Sequence, residues 1–290
     1  MGAIKSIASL RAELAEWRAR GDQIALVPTL GNLHEGHLRL ITEAKNCAQR
    51  VVVSIFINPL QFDDPKDFSA YPSTFEEDRS KLAKNGVDVV FSPEVTEMYP
   101  QGMQHHTTVT VPDLSDMLCG AHRPGHFRGV ATVVHKLFNI VQPDVALFGE
   151  KDYQQLLVIR RMVADLALPL EIVAVPTVRE PDGLALSSRN SYLSADERQR
   201  APRLYQVLQQ VKARLEQGVG DFPALENDAL LALQQGGLRP EYVSVRRALD
   251  LAPPGPVDTD LIILAAARLG KARLIDNLRA TLPQPGQDRL

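Results

Sequence analysis

The stretch from residue 24 to residue 57 constrains the fold most. Residues 24–27 are a short apolar run that Pro28 should close. A glycine-containing turn over 29–36 follows, then a helical pattern from about His37 with Leu38, Ile41 and Ala44 or Lys45 on one face. Residues 51–57 are an unbroken apolar run rich in β-branched side chains. A strand apolar on both faces belongs in a parallel sheet covered by helices, and strand–helix–strand is the unit that builds one. The alternation continues. Ser73 and Glu76 have capping-box spacing ahead of a helix that should stop near Gly86. Strands are expected at 87–91, 145–148 and 172–178, with helices near 130–141 and 152–166 between them. Upstream, Leu10, Leu14 and Trp17 mark an amphipathic helix over 6–21. Residues 101–128 are less regular, with alternation only at 107–111.

The character changes after Pro181-Asp182-Gly183, a turn signal. Ser194 and Glu197 form another capping box, which is read as opening a long polar helix with Leu204, Leu208, Val211 and Leu215 on one stripe. A further helix at 224–235 and strand-like runs at 242–245, 261–264 and 273–275 follow. The expectation is an α/β chain: a doubly wound, Rossmann-like parallel sheet over 1–180, a hinge and loop at 181–189, and a smaller α+β domain over 190–290.

Composition narrows the function. Apolar residues at 44% and charged residues at 23% exclude a disordered chain. A formal net charge of −3 argues against nucleic-acid binding. No apolar run approaches the ~20 residues that span a bilayer. Cys47 and Cys119 form no Cys-x-x-Cys pair, and Lys5 and Arg11 interrupt any secretory pattern, so a reduced cytoplasmic setting is expected. Residues 1–6 fit the loose myristoylation pattern, which recurs by chance.

Three segments suit phosphate. In the first, Leu30-Gly31-Asn32-Leu33-His34-Glu35-Gly36-His37, the turn sits at the carboxyl end of a strand and the start of a helix, where ligands and phosphates bind. Its two histidines, three residues apart, can share a face and donate to phosphate oxygens. It is neither a Gly-x-x-x-x-Gly-Lys loop nor His-Glu-x-x-His, which argues against zinc. The second, Gly149-Glu150-Lys151-Asp152, also joins a strand to a helix; Gln155 lies one turn after Lys151, and Asp152 doubles as a candidate N-cap. The third, Leu186-Ser187-Ser188-Arg189-Asn190, offers two hydroxyls and a guanidinium at the domain junction. His105 and His106 are read as surface or structural. Together the three segments favour an enzyme acting on nucleotide phosphates, without naming its reaction.

The pairing of His34-x-x-His37 with Ser187-Ser188-Arg189 resembles the nucleotidyltransferase superfamily, with its HIGH and KMSKS signatures. The first segment, 56–62, 123–130, 148–155, 184–190 and 273–277 together resemble the pantoate–β-alanine ligase family, in that family's order. Leu30 departs from the methionine usual there; the swap conserves volume and apolarity.

That resemblance implies condensation of pantoate with β-alanine to pantothenate, a coenzyme A precursor, through a pantoyl adenylate, with ATP as substrate and pyrophosphate and AMP as products. It implies His34 and His37 on ATP phosphates, with His37 as proton donor, and Lys151, Ser188 and Arg189 on the pyrophosphate side. Residues 30–37, 149–152, Val178 and 186–189 would surround ATP. Gln61 and Gln155 would bind pantoate, with Gln61 also within reach of β-alanine; Asn58, Tyr71, Arg123 and Arg128 are further candidates. Mg2+ would ride on ATP, with Glu77 and Asp78 as outer contacts and no resident protein-held metal. The 190–290 domain would be a lid, and the assembly a homodimer without nucleic-acid or membrane partners. Two alternatives stay open: a nucleotidyltransferase that joins AMP to a phosphate-bearing acceptor and stops, and a nucleotide-binding regulatory module without turnover.

Overall fold

The computed structural model describes residues 2–62, 68–69 and 71–283. The chain divides into two compact units, Met1–Glu150 with Gln155–Pro176, and Lys151–Gln154 with Thr177–Leu290.

The first unit is built on six parallel strands: β1 (Ala3–Ile4), β2 (Ile24–Thr29), β3 (Arg50–Ile55), β4 (Val89–Phe91), β5 (Val145–Gly149) and β6 (Glu171–Val175). Their order is β1-β4-β3-β2-β5-β6. The chain therefore steps from β2 outward through β3 to β4, then returns to the other side of β2 for β5 and β6. Such a reversal is the topological switch point of a doubly wound sheet. Helices α1 (Ile7–Ala19), α2 (Glu35–Cys47), α3 (Phe75–Lys84), α4 (Val95–Met98), α5 (Cys119–His122), α6 (His126–Val141) and α7 (Tyr153–Asp165) join the strands. Leu10, Leu14 and Trp17 are buried on α1 as their spacing requires. β3 is buried along nearly its whole length, and Val51, Val53 and Ile55 pack with Ile41 and Ala44 of α2.

Several boundaries differ from expectation for physical reasons. Pro28 lies inside β2, paired with Ser54. Within β2 only Ala25 and Leu26 pair with β5, so the missing proline N–H interrupts no ladder on that side. The N-cap of α3 is Thr74, not Ser73, and no capping box forms; the Thr74 hydroxyl donates instead to Asp78. Helix α6 begins at His126 rather than near 130. A 3-10 turn (Glu150–Asp152) precedes α7, so that Asp152 stands immediately before its first residue. Residues 107–111 form no strand, and the two-residue β1 is too short to read from sequence.

In the second unit the Ser194–Glu197 capping box does form, with Glu197 N donating to Ser194 Oγ and Ser194 N to Glu197 Oε2. It opens only the short helix α8 (Ala195–Arg200); after Pro202 the long helix starts afresh as α9 (Arg203–Glu216), followed by α10 (Phe222–Gln235). Leu204, Val207, Leu208, Val211 and Leu215 of α9 and Leu225, Ala229 and Leu233 of α10 are buried with the antiparallel sheet β7 (Arg239–Arg247), β8 (Asp260–Leu269) and β9 (Ala272–Thr281). Residues 177–180, expected in the first domain, belong here. Leu186 N donates to Val178 O, Arg179 bridges Ala185, and Arg179 is paired with Asp276.

Candidate active site

Three neighbouring strands of the first unit, β3, β2 and β5, end in the segments singled out by sequence. Beyond β3 come Asn58 and a 3-10 turn (Pro59–Gln61); beyond β2, residues 30–37; at the end of β5, Gly149, followed by Glu150, with Gln155 in the first turn of α7. Carboxyl ends at a switch point are where such sheets bind ligands.

The β2–α2 turn is held from below. Gly31 and Asn32 both have left-handed backbone, at φ 82° and 52°, a region that glycine enters freely and asparagine tolerates. Asp78 of α3, fully buried, accepts from Asn32 N at 2.7 Å and Leu33 N at 2.8 Å as well as from Thr74 Oγ1 at 3.0 Å. One helical turn on, Lys81 Nζ donates to Leu33 O at 2.7 Å. Asp78 Oδ2 stands 3.2 Å from where a Cβ on Gly31 would lie.

His34 is the N-cap of α2. Its Nδ1 accepts from Gly36 N at 3.1 Å, and His37 Nδ1 accepts from His34 N at 3.3 Å. An imidazole whose Nδ1 accepts carries its hydrogen, when neutral, on Nε2. The two rings lie 4.1 Å apart between centroids. The turn thus fixes one tautomer on both rings, beside a helix N-terminus that favours anions.

Asn58 is fully buried. Its Nδ2 donates to Gly129 O and Gln61 Oε1, and its Oδ1 accepts from Tyr99 Oη at 2.9 Å and Leu60 N. Those bonds use all the donors and acceptors of the amide, so Asn58 positions Gln61 rather than meeting a ligand. Burial pushes the Tyr99 phenol far above its ordinary pKa, keeping it a donor. Gly129 of α6 permits the 3-10 turn to approach, since a Cβ there would lie 2.2 Å from Leu60 O. Arg123 Nη2 and His126 Nδ1 both reach Gln61 O, at 3.3 and 2.7 Å. Tyr71 stacks edge-on to Phe62, and Arg128 is exposed.

In the second unit, Lys151 is anchored through its main chain: Asn277 Nδ2 donates to Lys151 O at 3.0 Å. Next to Asn277 on β9, Asp276 accepts from both Arg179 Nη atoms at 2.6 and 2.8 Å, and the Arg179 guanidinium stacks 4.0 Å over Tyr205. Lys151, Ser187, Asn190, Tyr205 and Asp276 share a recess with room for about one water. Ser187 caps the 3-10 turn Ser188–Tyr192, its Oγ accepting from Arg189 N, while Asn190 Nδ2 holds Ala185 O.

A model of the family described as pantoate–β-alanine ligase matches residues 2–279. The chain belongs to the pantoate–β-alanine ligase family. It is 57% identical to the pantothenate synthetase of Thioalkalivibrio sulfidiphilus over 99% of this chain and all of that one. Against the pantothenate synthetase of Nitrosococcus oceani the identity is 54%, over 97% and 99% of the two chains. Among solved structures, pantothenate synthetase from Thermus thermophilus superposes with a TM-score of 0.89 at 46% identity, covering 98% of this chain and all of that one. The pantoate–β-alanine ligase of Francisella tularensis, complexed with β-γ ATP and β-alanine, gives 0.81 at 34% identity over 96% and 97%.

The expected ATP residues fall in both units: 30–37, Gly149 and Glu150 in the first, and Lys151, Asp152, Val178 and 186–189 in the second. Glu77 is exposed, but Asp78 is not the solvated residue its helix suggested. It is buried with both oxygens committed to the turn, so it does not fit an outer Mg2+ contact. Sequence reasoning also missed Lys81, Arg179 and the roles of Asp276 and Asn277. A faint signal existed for Asp78, which shares the inward face of α3 with Phe75 and Leu82. Among the described residues no group of three or more His, Cys, Asp or Glu is placed to hold a metal ion, and no helix is long and apolar enough to cross a membrane.

The 181–183 turn is tied to α8 by Arg198 Nη1 donating to Asp182 at 2.6 Å. That guanidinium holds the Asp182 carboxyl below the usual carboxylate range. A depressed carboxylate favours the fold above its unfolded pKa near 4, and the contribution disappears as pH falls through the folded value. The pair is partly exposed, so its worth is under about 1 kcal/mol. Arg198→Ala should lower the melting temperature by no more than about 4 °C at pH 7. The gap between parent and variant should begin to narrow as pH falls below about 4 and should narrow in about 1 M salt; an undiminished gap under both conditions would contradict the assignment.

Proposed function

We propose that the chain condenses pantoate with β-alanine at the expense of ATP in two steps. A pantoate carboxylate oxygen attacks the α-phosphorus of ATP, forming pantoyl adenylate and releasing pyrophosphate. The β-alanine nitrogen then attacks the acyl carbon, the bond to AMP breaks, and the nitrogen loses a proton to give pantothenate. A carboxylate is a poor electrophile, and the mixed anhydride supplies a good leaving group; the protein's share is positioning and stabilising phosphate charge.

The observation that carries this reading is the His34–His37 pair, whose Nδ1 atoms are both committed as acceptors at the start of α2. Both neutral rings then carry Nε2–H donors, suited to phosphate oxygens, with His37 giving a hydrogen bond to the departing pyrophosphate. Lys151, Ser188 and Arg189 are assigned to the same phosphates, and residues 30–37, 149–152, Val178 and 186–189 to ATP. Gln61, held by Asn58, Arg123 and His126, and Gln155 in the first turn of α7, are assigned to pantoate, and Gln61 also to β-alanine. ATP enters as its Mg2+ complex, the ion riding on phosphates and water. The second unit serves as a lid with 181–189 as hinge, keeping water from an adenylate that hydrolyses when exposed. Family membership supports a cytoplasmic homodimer.

The test is pantoate-dependent exchange of labelled pyrophosphate into ATP without β-alanine, followed by formation of AMP and pantothenate when β-alanine is added. Exchange followed by equimolar products is expected. Products without exchange would reject the adenylate route, and AMP transfer to a phosphate-bearing acceptor would replace the reading with the simpler transferase.

A further inference from the structure

We infer that Asp78 and Lys81 are positioning residues for the phosphate turn, acting as an internal counter-charge that fixes which of its donors a triphosphate can use. The inference rests on the assignment of residues 30–37 to ATP. Successive backbone N–H groups in a left-handed turn form a nest that binds anions. Here Gly31 and Asn32 supply that backbone, and the N–H groups of Asn32 and Leu33 converge on a carboxylate belonging to the protein itself. The nest is therefore filled from within, and the triphosphate is left to the imidazole Nε2–H groups and the start of α2.

The burial supports this. A carboxylate with no exposed surface is costly unless fully hydrogen-bonded. Asp78 receives two N–H bonds and one O–H bond, all from the turn or from the cap of its own helix. Lys81, three residues on and so on the same helix face, takes the Leu33 carbonyl. One face of α3 thus grips both the donors and the acceptor of the peptide groups that precede His34. If that grip slackens, Gly31 and Asn32 relax from left-handed backbone and the Nδ1 bonds that orient both rings are lost.

The experiment compares the parent chain with Lys81→Met, Lys81→Arg and Asp78→Asn. Dissociation constants for ATP are measured by calorimetry, and KM for ATP and β-alanine by AMP release, at two Mg2+ concentrations. Each lost charge-assisted hydrogen bond should weaken ATP binding about 10-fold or more. Lys81→Met should do so with the β-alanine KM within about twofold of the parent, and Lys81→Arg should recover most of the loss. Asp78→Asn should show the larger ATP defect, unchanged by added Mg2+. Because Lys81 is only half-buried, its variants report even if Asp78→Asn does not fold. ATP affinity within twofold of the parent in Lys81→Met would overturn the proposal. So would a lower kcat with every KM unchanged, the mark of a smaller folded fraction. Recovery of Asp78→Asn at high Mg2+ would assign that carboxylate to the metal instead. A parent that binds ATP but releases no AMP would overturn the functional reading alone, the calorimetric comparison still deciding this one; a parent that binds no ATP would overturn both.

Discussion

His37→Ala is expected to lower the rate of AMP and pantothenate formation roughly 100- to 1000-fold, the usual loss when one donor to developing charge is removed. The fold should barely register the change. In the resting protein His37 Nδ1 accepts a 3.3 Å bond from His34 N, a capping contact worth about 0.5–2 kcal/mol. Melting temperature and circular dichroism therefore separate the two effects. If turnover falls only a few fold, His37 does not act on the reacting phosphates. Pyrophosphate exchange should fall in parallel with product formation, because the role assigned to His37 is in the first step.

The largest expected loss of stability comes from Asp276→Ala. Asp276 is buried and meets Arg179 through two parallel bonds, while Arg179 also donates to Gly183 O and stacks on Tyr205. Removing one partner of a buried pair leaves the other charge uncompensated and costs about 3–5 kcal/mol. Urea unfolding of the second unit's transition should show that loss. Replacing both partners, as in Arg179→Met with Asp276→Leu, should return much of it, since apolar groups of similar size often match a buried ion pair. A loss below about 1 kcal/mol in the single variant would mean that the pair is hydrated and peripheral.

The parallel sheet was legible because a strand buried on both faces must be apolar throughout, as in Val51, Val52 and Val53, and because glycine turns separated it from amphipathic helices. The switch point was not, since strand order depends on which side of β2 the chain chooses for β5, a choice made by long-range packing. Within the second unit, Leu204, Leu208, Val211 and Leu215 announced α9, but the break ahead of it turned on Pro202, which closes one helix and opens the next. The strands β7 to β9 were read short because Arg246 ends the first apolar run, alanines 265–267 carry β8 on past Leu264, and Asp276 and Asn277 interrupt the run of β9 while remaining in the ladder.

The candidate site divides in the same way. Its outward chemistry was visible, because histidine, lysine and serine beside glycine at the end of a strand suit few jobs better than holding phosphate. Its supports were invisible. Asp78 looks like any acidic residue in the first turn of a helix, where Glu76 and Glu77 beside it stay accessible to solvent. Nothing local says that a loop 45 residues earlier will lay two amides on it. Arg179 and Asp276 lie farther apart still, and only the packing of the 178–186 turn on β9 makes them a pair.

The bond from Asn277 to Lys151 carries a practical consequence. It grasps a peptide oxygen, so its geometry is indifferent to what projects from the neighbouring α-carbon. The amine at that position can be shortened, methylated or exchanged for a sulfur-containing homologue while its root stays moored. A graded series of such replacements would read out how reach and basicity each govern turnover.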